Sequence, residues 1–242
     1  MELFTETVSK KIDYAAMDQL LEKLEVISPN AHDASLHALL YGFSENSPAN
    51  PPLEAIKHFV QKVISAAEKT GNAATEESRR LAQQAADDRL DPDNEQVKTA
   101  AFKVTREFDR LRGILRFKPE TSNKAGEGCA SAACYIARCA PDHFVLPLLA
   151  NHFWQRFGKQ SWAIIDDRRK LVLTSDNGKT PVLRKLDTNQ QIQKDRAEQD
   201  SDEWECLWKD YHRSINNEDR SNPKLQKQFM PLRYWKYLTE FR

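Results

Sequence analysis

The chain has 242 residues, its 36 Lys and Arg balance 36 Asp and Glu, and 40% of its side chains are apolar. That length and apolar content fit one large domain or two small ones with a buried core, and they exclude disorder throughout. No stretch approaches the ~18 consecutive apolar residues of a membrane span, the N-terminal stretch has no apolar signal region, and the seven Gly form no phosphate-binding loop or dinucleotide fingerprint.

The expected location is therefore the cytoplasm. Up to Arg112 the chain reads as helices. Leu53, Ile56, Val60, Val63 and Ala67 recur at helical spacing behind Pro51 and Pro52, with Gly71 as a natural stop. The Pro- and Asn-rich stretch Ser44 to Pro52 reads as a linker. A polar helix is expected from Thr75 to Leu90, only loosely attached. From Pro92 to Arg112, Val97, Ala100, Ala101, Val104, Phe108 and Leu111 fall within one arc, and Lys103, Arg106 and Arg110 lie on the other side.

After Gly113 the period changes. Short runs rich in β-branched and aromatic residues predict strands at Ile114 to Lys118, Cys134 to Cys139, Trp162 to Asp166, Leu171 to Ser175 and Val182 to Leu186. Turns over 167–170 and 176–179 suit antiparallel hairpins, and Pro147 opens an apolar helix bearing Leu149, Ala150, Phe153, Trp154 and Phe157. The predicted fold is α+β: a helical N-terminal region at 1–91, then a core domain at 92–242 with a mostly antiparallel sheet in the order β-β-α-β-β-β and C-terminal helices. An acidic linker, Asn189 to Ser201, is expected to be mobile from Asp195. Beyond it Trp204, Leu207, Trp208, Tyr211 and Ile215 form one helical stripe, and the chain from Asn222 is expected to be extended before turning helical at Pro231.

The neutral sum hides segregation of charge. Six basic residues stand against two acidic ones from Lys103 to Lys118, and seven against three from Arg213 to Arg242. In the tail these cations interleave with Tyr234 and Trp235, the residue types of a stacking platform beside a phosphate track. Arg106 and Arg233 are expected on one surface. The four Cys, three of them spaced C-x4-C-x4-C, match no zinc or iron-sulfur pattern, so reduced thiols and no metal or cofactor are expected. His143 in Pro141-Asp142-His143 precedes the apolar helix, and His152 with Arg156 stands at i and i+4 on it, a pair suited to a phosphate or a proton. Pro141-Asp142 with Asp166-Asp167-Arg168 departs from the metal-nuclease pattern because Arg occupies the position of the required lysine.

Several separated segments carry a family likeness: Arg106-Glu107, Gly113 to Phe117, Pro141-Asp142-His143 with Val145 to Leu149, His152-Phe153, Arg156-Phe157 and Gln160 to Asp166. Leu207-Trp208-Lys209 and the run from Asn222-Pro223 through Gln226 to Pro231, Arg233, Tyr234 and Trp235 complete it. On these residues the chain, from around Ala100 to Arg242, resembles a bacterial family ascribed to DNA repair or DNA metabolism. Members of that family stand beside a radical S-adenosylmethionine protein, and related domains are fused to uracil-DNA glycosylase-like domains. Two departures stand out: the family's opening aromatic-Asp-Gly strand is absent, and Asp109 occupies a position where His is usual.

The resemblance implies a protein of DNA repair or DNA modification working with a radical S-adenosylmethionine enzyme. With the charge pattern, it points to single-stranded or distorted DNA held by Lys103, Arg106, Arg110, Arg116, Arg156 and Arg233, with Tyr234 or Trp235 for stacking. Whether the chain is an enzyme stays open. One alternative is a non-catalytic adapter whose helical N-terminal half docks the partner enzyme and which never touches nucleic acid. Another is a hydrolase or lyase of damaged nucleotides using His143, His152 and Asp166.

Overall fold

The structure is a computed structural model that describes residues 14–41, 53–71, 75–120, 134–186 and 203–241. The predicted linkers at Ser44 to Pro52 and Asn189 to Ser201 lie outside the described residues. The chain divides into two compact units, Met1–Asp109 with Asp142–Pro147, and Arg110–Pro141 with Leu148–Arg242.

The first unit is helical. Its elements are α1 (Tyr14–Ile27), α2 (Pro29–Leu39), α3 (Leu53–Glu68), α4 (Glu76–Asp87) and α5 (Pro92–Ile114), the last of which runs on into the second unit. Of the arc read from α3, Ile56, Val60, Val63 and Ala67 are buried and Leu53 is half-buried; with Phe59, which the arc did not include, they pack with Leu21, Leu24, Val97 and Ala100. Gly71 follows α3 with φ 76°, the left-handed conformation that a helix stop needs.

The expectation that α4 hangs loosely is corrected. Thr75 caps it by accepting the Ser78 N–H at 3.2 Å, and Ser78, Ala82 and Ala86 are buried. Small side chains on that face let α4 lie close to α3, an option that a polar composition conceals. The far end is tied as well. Asn94 Nδ2 donates to the carbonyls of Ala85, Ala86 and Asp88, and Lys62 Nζ lies 2.8 Å from Asp88 and 2.7 Å from Asp91.

The second unit is built on a five-stranded sheet in the order β1-β2-β3-β4-β5. The strands are β1 (Lys118–Glu120), β2 (Cys134–Cys139), β3 (Ser161–Asp166), β4 (Leu171–Ser175) and β5 (Val182–Lys185). Only the β2/β3 pair is parallel, joined through α6 (Leu146–Phe157); the other pairs are antiparallel. The fold is therefore α+β, with C-terminal helices α7 (Glu203–Ile215), α8 (Pro223–Phe229) and α9 (Leu232–Trp235). β3 is buried along its whole length, and Phe153 of α6 lies 6.2 Å from Trp162. Two 3₁₀ turns, Glu218–Arg220 and Thr239–Phe241, complete the C-terminal part.

Two boundaries differ from the sequence reading. The strand expected at Ile114 begins only at Lys118, because α5 continues through Gly113. A helical Gly costs about 1 kcal/mol relative to Ala and does not by itself end a helix. The segment expected to be extended from Asn222 is helix α8, opened by Asn222 accepting the Leu225 N–H at 3.0 Å with Pro223 in the first turn. The reduced-thiol expectation is corrected at one position: Cys134 is disulfide-bonded, whereas Cys139 and Cys206 remain thiols. Compartment arguments concern how common disulfides are and do not identify which thiols meet in space. No helix among the described residues is long and apolar enough to cross a membrane.

The β4–β5 turn makes a testable demand. Lys179 N–H donates to Asp176 O at 2.9 Å, and Asn177 and Gly178 both have positive φ, as a type I′ turn requires. A Cβ on Gly178 would lie 3.0 Å from the Gly158 carbonyl oxygen. Gly178→Ala is expected to lower unfolding stability by about 1–2 kcal/mol. A urea midpoint equal to that of the wild type would show that the turn relaxes without strain.

Candidate nucleic-acid interface

In the second unit the end of α5 meets the C-terminal segment. Arg116 folds its guanidinium back onto the Gly113 and Ile114 carbonyls, each at 3.3 Å, as a cation at a helix C-terminus does. Its other nitrogen bonds Glu240 Oε1 at 3.0 Å, and the second Glu240 oxygen accepts the Trp208 indole N–H at 3.1 Å. Burial alone would raise the Glu240 carboxyl. Hydrogen bonds from its own backbone and Trp208, with the Arg116 charge, outweigh burial and hold it below the usual range. Arg110 donates to Gln228 O at 2.9 Å at the end of α8.

The rings follow the same path. Trp235 stacks on Phe241 at 4.5 Å and anchors its indole N–H on Met230 O at 2.8 Å. His212 meets Phe241 edge-on at 6.4 Å, and Trp208 lies 5.8 Å from Tyr211. Arg110, Arg116, Trp208 and Trp235 thus share one connected patch. A recess of about 420 Å³ opens beside it, walled by Phe117, Pro119 and Trp208 with Thr239. Arg116, Lys118 and Glu205 supply its charges, and Lys118 is paired with Glu205.

The tail is fixed to the sheet by a second cluster. The Tyr237 hydroxyl donates to Asp167 Oδ2 at 2.7 Å, and Arg138 grips the same carboxylate through Nε and Nη2. Burial and the neighbouring Asp167 push the Tyr237 phenol far up, so it remains a protonated donor. Arg233 lies over the Tyr234 ring at 4.6 Å, and Tyr234 is 1% exposed. Of the two rings expected to stack on bases, Tyr234 is thus committed to the core, and Trp235 is half-buried with one face against Phe241.

Lys103 and Arg106 belong to the first unit and both are exposed on α5. Lys103 lies over Tyr41 and donates to its hydroxyl at 3.3 Å. Phe102, beside them, is 65% exposed, an aromatic that the sequence reading passed over. Arg156 is exposed on α6, in the second unit. Arg106 and Arg233 fall in different units.

The three catalytic candidates occupy different settings. His143, in the first unit, stacks on Tyr41 at 4.5 Å, and its backbone N–H donates to Glu107 at 2.7 Å. His152 packs edge-on against Phe153; burial, then the charges of Arg112 and Arg156, lower its pKa. Asp166 is fully buried. One oxygen accepts the Arg168 and Arg169 backbone N–H groups and the other accepts from the Arg169 guanidinium, so the carboxylate closes the β3–β4 turn. Burial raises its pKa against the opposing pull of Arg169. His58, Asp91 and Asp93 bring three possible ligand atoms within 4.8 Å, with Asp93 bonded to His58 and Asp91 paired with Lys62.

Sequence reading named Glu107 only within the family likeness and missed its structural role. Glu107 is 2% exposed, and its two oxygens accept the Asp142 and His143 N–H groups at 3.0 and 2.7 Å. The signal was present: Glu107 sits inside the apolar arc, three residues after Val104 and four before Leu111. Nearby, His37 bonds Thr105 at 2.8 Å, and burial lowers its pKa although Asp33 and Asp109 pull upward. The folded state therefore keeps His37 neutral, and the unfolded chain protonates first as pH falls through about 6.5. Stability should fall as pH drops below about 6.5, and less so in His37→Gln. Equal urea curves for both proteins across that range would refute this.

No curated protein and no solved structure matches the chain. The profile of a family described as a domain of unknown function, DUF4130, matches residues 56–240, reaching back into α3 well before the segments that carry the resemblance, and the chain belongs to that family.

Proposed function

We propose that the chain binds single-stranded or distorted DNA through the basic and aromatic C-terminal patch of its second unit, in a DNA repair or modification process shared with a radical S-adenosylmethionine enzyme. The observation that carries the binding is the connection of Arg110, and of Arg116 through its ion pair with Glu240, to a run of rings that includes Trp208, Trp235 and Phe241, with Arg110 and the tail cations supplying the charge for phosphate. Exposed Lys224 and Lys227 on α8 add charge close by in sequence. Cations supply sequence-independent attraction to phosphate, and partly open rings favour bases that are already unstacked. The resemblance supports the setting and the partner.

Titration with a labelled single strand at several salt concentrations tests this. The logarithm of the binding constant should fall linearly with the logarithm of salt, and Arg110→Ala with Arg233→Ala should reduce the slope by about 0.7 for each phosphate that is no longer neutralised. Trp235→Ala should weaken single-strand binding more than duplex binding. No binding near about 50 mM salt would overturn the reading, as would a double variant that binds like the wild type.

A specific observation favours an adapter as a second reading, with a C-terminal docking face in place of the N-terminal helices that the sequence suggested. Leu207, Tyr211 and Ile215 on α7 are 60%, 53% and 58% exposed at helical spacing, and Phe229 on α8 is 60% exposed. A stripe of this kind commonly marks a protein interaction surface. Failure to bind DNA, together with co-purification of the partner enzyme that Tyr211→Glu abolishes, would select it.

A further inference from the structure

We propose that the recess beside Trp208 accepts a single unstacked nucleobase, a role that rests on the DNA-binding reading and assigns its base-reading pocket. Its volume, about 420 Å³, lies in the range of small-ligand sites and exceeds what one base needs. Its walls are mainly apolar, from Phe117, Pro119 and Trp208. Both rings are held in place beforehand. Phe117 packs against Phe153 and Phe157 at 4.9 and 4.7 Å, and the Trp208 indole N–H is fixed by Glu240 while its side chain stays 40% exposed. A pre-oriented ring stacks on a base with little ordering cost.

The charges define the ligand further. Each cation of the recess already has a carboxylate: Arg116 has Glu240 and Lys118 has Glu205. The recess is thus formally neutral, which suits an uncharged planar group and makes a poor site for free phosphate. Its polar atoms still offer hydrogen bonding to a base edge: Thr239 brings a hydroxyl, Glu205 accepts, and Arg116 and Lys118 donate. A purely aliphatic side chain from a partner protein would leave these groups without use. Phosphates on either side of the base would be drawn by the basic residues of the tail, outside the recess.

The test uses the full chain and a single-stranded oligonucleotide carrying one 2-aminopurine, whose emission falls when it stacks on an indole. Free 2-aminopurine deoxynucleoside and inorganic phosphate are titrated in parallel. Binding should quench the oligonucleotide several-fold. Trp208→Ala should remove most of that quenching and weaken binding by roughly 5- to 150-fold, Trp208→Phe should restore much of the affinity, and Leu90→Ala, at a fully open position of the first unit, should behave as wild type. The free nucleoside should compete for the recess and phosphate should not. An oligonucleotide that binds but is quenched equally by wild type and folded Trp208→Ala overturns the pocket and leaves the DNA reading standing. Competition by phosphate and not by the nucleoside also overturns it. Absence of any oligonucleotide binding overturns both.

Discussion

Asp167→Ala is expected to lower unfolding stability by about 3 kcal/mol and to loosen the C-terminal segment from the sheet. The Asp167 and Arg138 side chains are each 15% exposed and meet at 2.6 Å, and Tyr237 adds a bond to the same carboxylate. Removing the carboxylate leaves the guanidinium buried without its counter-charge, and that residual charge is costly. Tyr237→Phe should cost only about 1 kcal/mol, because one hydrogen bond is lost while the ion pair stays. Urea unfolding gives the stabilities, and native-state hydrogen exchange over 230–241 reports the tail. A value for Asp167→Ala within about 0.5 kcal/mol of the wild type would remove the cluster as the tail's anchor. Tyr237 lies between Trp235 and Thr239, so the proposed DNA-binding patch and recess should be weakened together with the anchor.

Much of the fold was legible because its signals are local. The α3 and α5 arcs, Gly71 as a stop, both hairpin turns and the bounds of β2 and β4 all follow from spacing and turn chemistry within a few residues. The misplaced elements have local signals that point two ways. Gly113 reads as a break, yet Leu111 and Ile114 carry α5 past it. Asn222-Pro223 reads as extended, although Asn before Pro is also a helix opening. The attachment of α4 rests on Ser78, Ala82 and Ala86, side chains too small to announce burial.

The candidate site was legible in composition and much less so in geometry. The basic and aromatic character of the tail is visible in sequence. That Arg116 and Trp208 converge on Glu240 is a long-range fact without local trace, as is the tie from Tyr237 to Asp167. The recess depends on α7 and the lead-in to β1, which are far apart in the chain. Tyr234 and Trp235 are adjacent in sequence and differ in burial, a distinction set by the direction of the short helix α9.

Glu107→Ala should be comparably damaging to the first unit, at about 3 kcal/mol, since two N–H groups lose a charged acceptor in a nearly closed environment. The loop from Asp142 to Leu146 depends on that acceptor. Phe144, Val145 and Leu146 are fully buried, and Phe144 N–H donates to Leu40 O at 3.0 Å. The apolar side chains hold the far end of the loop, while Glu107 holds the end that carries His143 against Tyr41. Glu107→Gln keeps one acceptor oxygen and should cost about half as much. The two variants separate hydrogen bonding from volume, because Gln nearly matches the size of Glu and Ala does not. Urea unfolding ranks them, and exchange of the Asp142 and His143 amides locates the effect. If Glu107→Gln proved as damaging as Glu107→Ala, the negative charge itself would be required; if Glu107→Ala were as stable as the wild type, the loop would be held by its apolar residues alone.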